Sequence, residues 1–235
     1  MSNQTHKYVY FFGEGKAEGT AKMKELLGGK GANLADMTSI GLPVPPGFTI
    51  STEACAYYSN NNGAYPEGLR EQVLEHLSRL ERVMGAKLGD PENPLLVSVR
   101  SGAAQSMPGM MDTVLNLGMT PDSVKGLIKK TGNQRFAWDS YRRFMQMFGD
   151  VVMGVPHHDF EHALQQVKDE KGKHFDTELD VEDLKLVIDK YRKIYHAVTK
   201  EDFPTDPIDQ LFKSIDAVFR SWNNDRAIKY RQMND

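Results

Sequence analysis

The chain has 235 residues, 40% of them hydrophobic and 26% charged, which is the composition of an ordinary globular protein. Its 29 basic and 32 acidic side chains leave a formal charge of −3, which offers no basic footprint for nucleic acid. No apolar run approaches the roughly 20 residues of a membrane span, and a single cysteine, Cys55, excludes an intramolecular disulfide. The opening Met1–Lys7 lacks the apolar core of a secretory signal, so a cytoplasmic protein is expected. The length allows one large domain or two small ones.

Lys7–Phe12 is aromatic and β-branched and predicts a strand. A polar loop with glycines follows, from Gly13 to Gly19. Leu26–Met37 reads LLGGKGANLADM, with Gly28, Gly29 and Gly31 around Lys30. Apolar residues then recur at Leu34, Met37 and Ile40, the spacing of a helix face. Lys30 is thus expected on a glycine turn that feeds a helix N-terminus, a place that favours anions. A structural turn is an equally open reading, and the spacing is not that of a P-loop. Gly41–Gly47 is a rigid extended linker because of its prolines. Phe48–Ile50 predicts a strand, and Ser51 or Thr52 can cap the helix that follows. Pro66 opens a longer helix with Leu69, Val73, Leu77, Leu80 and Met84 on one face.

Leu95–Val99 reads as a buried strand that ends on Arg100. Next comes a loop of small residues with Gly102, Pro108 and Gly109. Thr113–Leu117 reads as another strand. A strand ending in a cation and opening into a glycine loop suits phosphate, because glycine lets backbone N–H groups approach the oxygens and arginine adds a planar charge. Met107, Met110 and Met111 follow no helix or strand period. A mobile methionine-tipped loop that covers a ligand accounts for them better than core filling.

Residues 120–235 read as helical. Thr120-Pro121 caps and opens a helix that ends near Gly132. Others are expected from about Gln134 to Phe148, from His157 to Lys171, after the Asp180 cap, and after Asp206-Pro207. Each carries an apolar stripe that reads as core. Arg135, Arg142, Arg143 and Arg220 read as ion pairs, solvated charges or lobe supports and stay outside the binding set. Cys55 reads as a small buried hydrophobe. His157, His158 and His162 form a weak metal-ligand cluster on a polar helix start, and no metal site is assigned.

LLGGKGANLADM (26–37), PVPPGFT (43–49) and LLVSVRSG (95–102) resemble the nucleotide-binding region of phosphoenolpyruvate-utilising dikinases. SMPGMMDT (106–113), KKTGNQRFAWDSYRRF (129–144) and FRSWNNDRA (219–227) resemble the pyruvate, phosphate dikinase family in particular. The resemblance covers essentially the whole chain. It implies an α+β fold: the first lobe of an ATP-grasp domain, a short mixed sheet with helices, over 1–119. An all-α helical insertion follows over 120–205, and 206–235 returns to the first lobe. It also implies that Lys30, Arg100, Gly109, Met110 and Met111 meet the ATP phosphates.

The family interconverts ATP, phosphate and pyruvate with AMP, diphosphate and phosphoenolpyruvate through a phosphohistidine. The second lobe, its magnesium ligands, the phosphohistidine domain and the pyruvate barrel have no counterpart here. The resemblance thus implies ATP as ligand, Mg2+ for the longer enzyme only, no catalytic residue in this fragment, and an inactive fragment. Its partners would be the phosphohistidine domain, the substrates and a second copy in a homodimer, with no membrane and no nucleic acid. A contrasting reading is a stand-alone, non-catalytic nucleotide-binding or regulatory module built on a dikinase lobe.

Overall fold

The computed structural model describes residues 6–102 and 110–234. The expected features at Met107, Pro108 and Gly109 therefore lie outside the described residues. Contacts divide the chain into two compact units. The first holds the described residues up to Gly85, then Ser101, Gly102 and Met110, and the chain from Val218 on. The second holds Ala86–Arg100 and Met111–Ala217.

The first unit is built on a three-stranded antiparallel sheet of β1 (Val9–Gly13), β2 (Lys16–Ala17) and β3 (Gly47–Ile50), in the order β2-β1-β3. β1 pairs with β3 through Val9 with Ile50 and Tyr10 with Thr49. Alternation sends Val9, Phe11, Phe48 and Ile50 to one face and Phe12, Gly47 and Thr49 to the other. α1 (Lys24–Ser39), α2 (Thr52–Asn60) and α3 (Leu69–Met84) complete this part of the chain. α3 packs on the sheet and buries Leu69, Val73, Leu77 and Leu80, whereas Met84, expected on the same face, is exposed in the last turn. It starts after Gly68 and stops at Gly85, both left-handed. The Ser51 side chain accepts from the Ala54 N–H to start α2.

α1 departs from expectation. Its buried residues after the glycine turn are Gly31, Ala32, Ala35 and Thr38, whereas Leu34 and Met37 are half-buried and Ile40 is exposed. The helix lies too close to β3 for large side chains: a Cβ on Gly31 would stand 2.7 Å from Thr49 Cγ2. Small residues take the contact face, and the larger ones are displaced towards solvent.

The second unit holds β4 (Lys87–Leu88), β5 (Pro94–Leu95), β6 (Val97–Val99) and β7 (Val114–Leu117). The single strand expected over 95–99 is two: β5 pairs in parallel with β4, and β6 pairs antiparallel with β7. Different partners on either side of Leu96 cause the break. β6 is also only partly buried, not the buried strand expected. The helices are α4 (Pro121–Thr131), α5 (Gln134–Met147), α6 (His157–Glu170), α7 (Val181–Thr199) and α8 (Pro207–Ser221), of which α8 belongs to this unit up to Ala217. α5 continues into a π-helical turn over Phe148–Val152. The caps fall where the sequence puts them. Thr120 and Ser123 form a capping box, Gly132 closes α4 in the left-handed region, and Asp180 and Asp183 cap α7 reciprocally. α9 (Asp225–Asn234) ends the described chain in the first unit.

The unit boundaries differ from the breaks expected at 119/120 and 205/206. β7 packs on α5, and α4 packs so closely on the start of β5 that a Cβ on Gly126 would meet Pro94 at 2.5 Å. The strands flanking Arg100 therefore group with the helices. Gln210, fully buried, ties α8 to the same body. Its Nε2 donates to the carbonyls of Met119 (2.9 Å) and Pro204 (2.8 Å), and its Oε1 accepts from the Gly118 N–H at 3.1 Å. Around Phe203 lie Tyr195, Phe148, Phe144 and Tyr141, with ring centroids 5.2–6.3 Å away. Arg142 is buried and paired with Asp139 at 2.8 Å, and Arg143 reaches the other Asp139 oxygen at 3.0 Å. Burial works against the Arg142 charge, but Asp139 outweighs it and raises the guanidinium's pKa. Arg135 donates to the carbonyls of Leu179 and Asp176. Arg142 and Arg143 are thus ion-paired with Asp139, and Arg135 is tied to backbone carbonyls.

Candidate functional site

Lys30 lies within α1, but the helix is broken just before it. Gly28 has φ 70° and ψ 168°, a conformation that a residue with a Cβ reaches only under strain. Leu27, before the break, is buried against the unit, and Lys30, after it, is exposed. The glycine turn expected there is present as a kink that opens a new helical turn. From that turn the Lys30 ammonium donates to the Ser101 carbonyl at 3.1 Å. The position a Cβ would take on Gly102 is 3.7 Å from Lys30 Cβ. The lysine therefore stands against the backbone that follows directly on Arg100. One of its three ammonium hydrogens is used on that carbonyl, which leaves donors for an anion.

Arg100 closes β6 in the second unit. It is exposed, and it takes no part in the hydrogen bonds and ion pairs among the described residues. It follows directly on Val99, which pairs with Val114 across an irregular register. Met111 is buried at 9% exposure. Met110 packs against Ala227 together with Trp222 and Tyr230. Met111 is thus buried and Met110 packed, against the expectation of a mobile methionine tip, and Met110's neighbours are remote in sequence. Gly109 is outside the described residues. Cys55 is half-buried, with its Sγ 4.0 Å from the Phe219 carbonyl.

A second polar concentration lies in the first unit, in an open groove of about 710 Å³ lined by Lys7, Glu18, Gln72, His76, Arg79 and Arg82 among others. Lys30 is not part of it. Glu18 accepts from the Phe11 N–H at 3.0 Å, from Lys7 at 2.9 Å and from Arg79 at 2.6 Å. Burial alone would raise its pKa, but these hydrogen bonds and the lysine charge hold it at about 2. The guanidinium of Arg79 also lies 3.9 Å from the centre of the Phe11 ring. Together they fasten α3 to the β1–β2 hairpin. Because the folded value is lowered, this pairing is fully present above about pH 4.5 and is lost as pH falls towards 2. The Glu18 side chain is 28% exposed, so solvent screening limits the contribution to about 1 kcal/mol. Urea midpoints measured from pH 5 down to pH 2 are expected to fall less steeply in Glu18→Gln than in the parent. Identical slopes would remove Glu18 from that role.

Among the described residues no three histidine, cysteine, aspartate or glutamate side chains converge as a metal site. His157 pairs with Asp150 at 2.9 Å. The Mg2+ that the resemblance implies does not fit any donor set described here. No described helix is long and apolar enough to cross a membrane.

With this geometry in place, comparison with known proteins gives a consistent result. The family "Pyruvate phosphate dikinase, AMP/ATP-binding domain" matches residues 24–82 and 63–235. The chain is 57% identical over 228 residues to the chloroplastic pyruvate, phosphate dikinase of Flaveria trinervia, covering 97% of the chain and 24% of that protein. It is 58% identical over 228 residues to the chloroplastic enzyme of Mesembryanthemum crystallinum, with the same coverage of 97% and 24%. Against the pyruvate, phosphate dikinase of Clostridium symbiosum it is 54% identical over 230 residues, 97% of the chain and 26% of that protein. The chain spans about a quarter of the length of these curated relatives.

Proposed function

The chain belongs to the pyruvate phosphate dikinase AMP/ATP-binding-domain family, and from that premise we propose that it supplies the first part of the ATP site of a pyruvate, phosphate dikinase. That enzyme is a phosphotransferase converting ATP, phosphate and pyruvate to AMP, diphosphate and phosphoenolpyruvate through a phosphohistidine. The observation that carries the reading is Lys30, held after the Gly28 kink with its ammonium 3.1 Å from the Ser101 carbonyl, one residue past Arg100. Phosphoryl transfer depends mainly on positioning and on neutralising charge. Lys30 supplies a compact mobile cation and Arg100 a planar one. Gly109, Met110 and Met111 complete the proposed phosphate-binding set, as the family resemblance implies. ATP is the ligand; Mg2+ would supply further neutralisation of the phosphate charge, and no donor set among the described residues fits it. The same proposal includes an ATP-grasp fold, a cytoplasmic location and a homodimeric enzyme.

The histidine that accepts the phosphoryl group belongs to another domain, so the chemistry is tested in the complete polypeptide. Incubation with ATP labelled in its β-phosphoryl group, together with phosphate and Mg2+ but without pyruvate, is expected to leave acid-labile, base-stable label on a histidine. Adding pyruvate is expected to move that label to phosphoenolpyruvate. ATP binding without any labelled histidine would overturn the dikinase reading in favour of a non-catalytic nucleotide-binding module.

A further inference from the structure

We propose that Gly31 and Thr49 are positioning residues for the nucleotide site: the contact of α1 with β3 at this pair fixes where Lys30 stands. The proposal rests on the reading of Lys30 as a phosphate ligand. Gly31 is the residue after Lys30, and it is buried. A Cβ there would lie 2.7 Å from Thr49 Cγ2, 3.0 Å from Thr49 Oγ1 and 3.3 Å from Leu27 Cβ. The first of these is closer than real Cβ contacts come. Glycine is the poorest helix former after proline, so helix propensity gives no reason for it in this turn; the close approach does.

Thr49 is a firm seat. It lies within β3, paired in register with Tyr10 of β1, and its β-branched side chain is stiff at χ1. A clash with it cannot be relieved by swinging the far end of a flexible chain. Leu27 reaches the same spot from before the kink, so the seat also engages the turn that Gly28 breaks. On the other side, Lys30 meets Gly102 and the Ser101 carbonyl. Lys30 therefore stands between a fixed strand and the backbone that follows Arg100. Any shift of α1 needed to accommodate a side chain at 31 passes directly to its neighbour, because consecutive residues of a helical turn move together.

Misplacement of a charged ligand by fractions of an ångström lowers rate without removing any group, and a shift near 1 Å can cost on the order of a hundredfold. In the complete polypeptide, Gly31→Ala is expected to slow the ATP half-reaction roughly tenfold while leaving phosphoryl exchange between phosphoenolpyruvate and the histidine unchanged. Thr49→Ala, which empties the seat, is expected to slow the ATP half-reaction about threefold. The double variant Gly31→Ala/Thr49→Ala lets the new methyl fill the vacated space, and it is expected to recover to within about twofold of the parent. Such mutual rescue is not expected of two independent stability defects. If Gly31→Ala does not fold, Thr49→Ala and the isosteric Thr49→Val decide: loss in the first and parental rates in the second support the proposal, and equal rates overturn it. Parental ATP kinetics in Gly31→Ala, or a double variant no better than Gly31→Ala, also overturn it. Lys30→Ala is measured in parallel. If it retains the ATP half-reaction, the phosphate assignment of Lys30 fails; if it loses that reaction while the Gly31 and Thr49 variants do not, only the positioning proposal fails.

Discussion

Arg100→Ala in the complete dikinase is expected to lower kcat/KM of the ATP half-reaction roughly 30- to 1,000-fold, a loss of about 2–4 kcal/mol in transition-state stabilisation. Phosphoryl exchange between phosphoenolpyruvate and the histidine should be spared. The expectation follows from where the guanidinium is attached. Arg100 follows Val99, the last residue of β6, which pairs with Val114. Its side chain is exposed and makes no ion pair among the described residues, so its charge is not already neutralised. A planar donor fork at a strand end can meet charge that develops on a transferring phosphoryl group at little reorganisation cost. Arg100→Lys keeps the charge and loses the fork, so an intermediate loss is expected. Isotope exchange measures each half-reaction separately. Equal loss of both in Arg100→Ala would sink the assignment, because it would mean that the substitution damages the fold or the histidine transfer and not ATP chemistry.

Local signals carried much of the fold into the sequence. Thr120-Pro121, Asp180 and Asp206-Pro207 each supply a side chain or a fixed φ that starts a helix by itself, and α4, α7 and α8 begin there. Gly28 and Lys30 were legible for the same reason, since a glycine turn before an apolar period needs no distant partner. What was not legible depends on contacts between remote segments. The buried face of α1 is small because β3 lies close behind it, and nothing in Leu34, Met37 or Ile40 announces that distance. The run 95–99 divides because β4 claims one end and β7 the other. Gln210 looks like an interruption of an apolar stripe until the backbone groups of Gly118, Met119 and Pro204 are brought to it. α9 has little stripe to read, since Ala227 is its one fully buried hydrophobic residue. The same division runs through the site. The cations Lys30 and Arg100 were visible as residue types in glycine-bearing contexts. The Ser101 carbonyl that receives Lys30, the Thr49 seat and the packing of Met110 and Met111 were not, because each is a relation between segments.

Phe203→Ala is expected to be the most destabilising single truncation in the second unit. The residue is 6% exposed and sits in the short connection between α7 and α8, where the sequence shows only one aromatic in a polar stretch. Its ring meets four others: Tyr141 and Phe144 on α5, Phe148 at the start of the π-helical turn, and Tyr195 on α7. Truncation removes the buried ring and leaves a cavity walled by rigid aromatics that cannot collapse into it. The cost for such a change is about 3–5 kcal/mol, part of it from the lost edge-to-face pairs. That is a large fraction of the roughly 5–15 kcal/mol by which domains are stable. Urea denaturation should show a clearly lower midpoint with a similar slope, and Phe203→Leu should recover much of the loss by refilling the space. A loss below about 1 kcal/mol would mean that the cluster relaxes and is not a rigid core. The consequence extends to function within the same unit. α5 packs on β7, the Leu115 N–H of β7 reaches Met147 Sδ at 3.1 Å, and β7 holds β6 and therefore Arg100. Loosening the aromatic cluster should weaken that support, so Phe203→Ala is expected to raise KM for ATP under conditions where the variant is still folded, whereas a distant surface truncation of equal size should not.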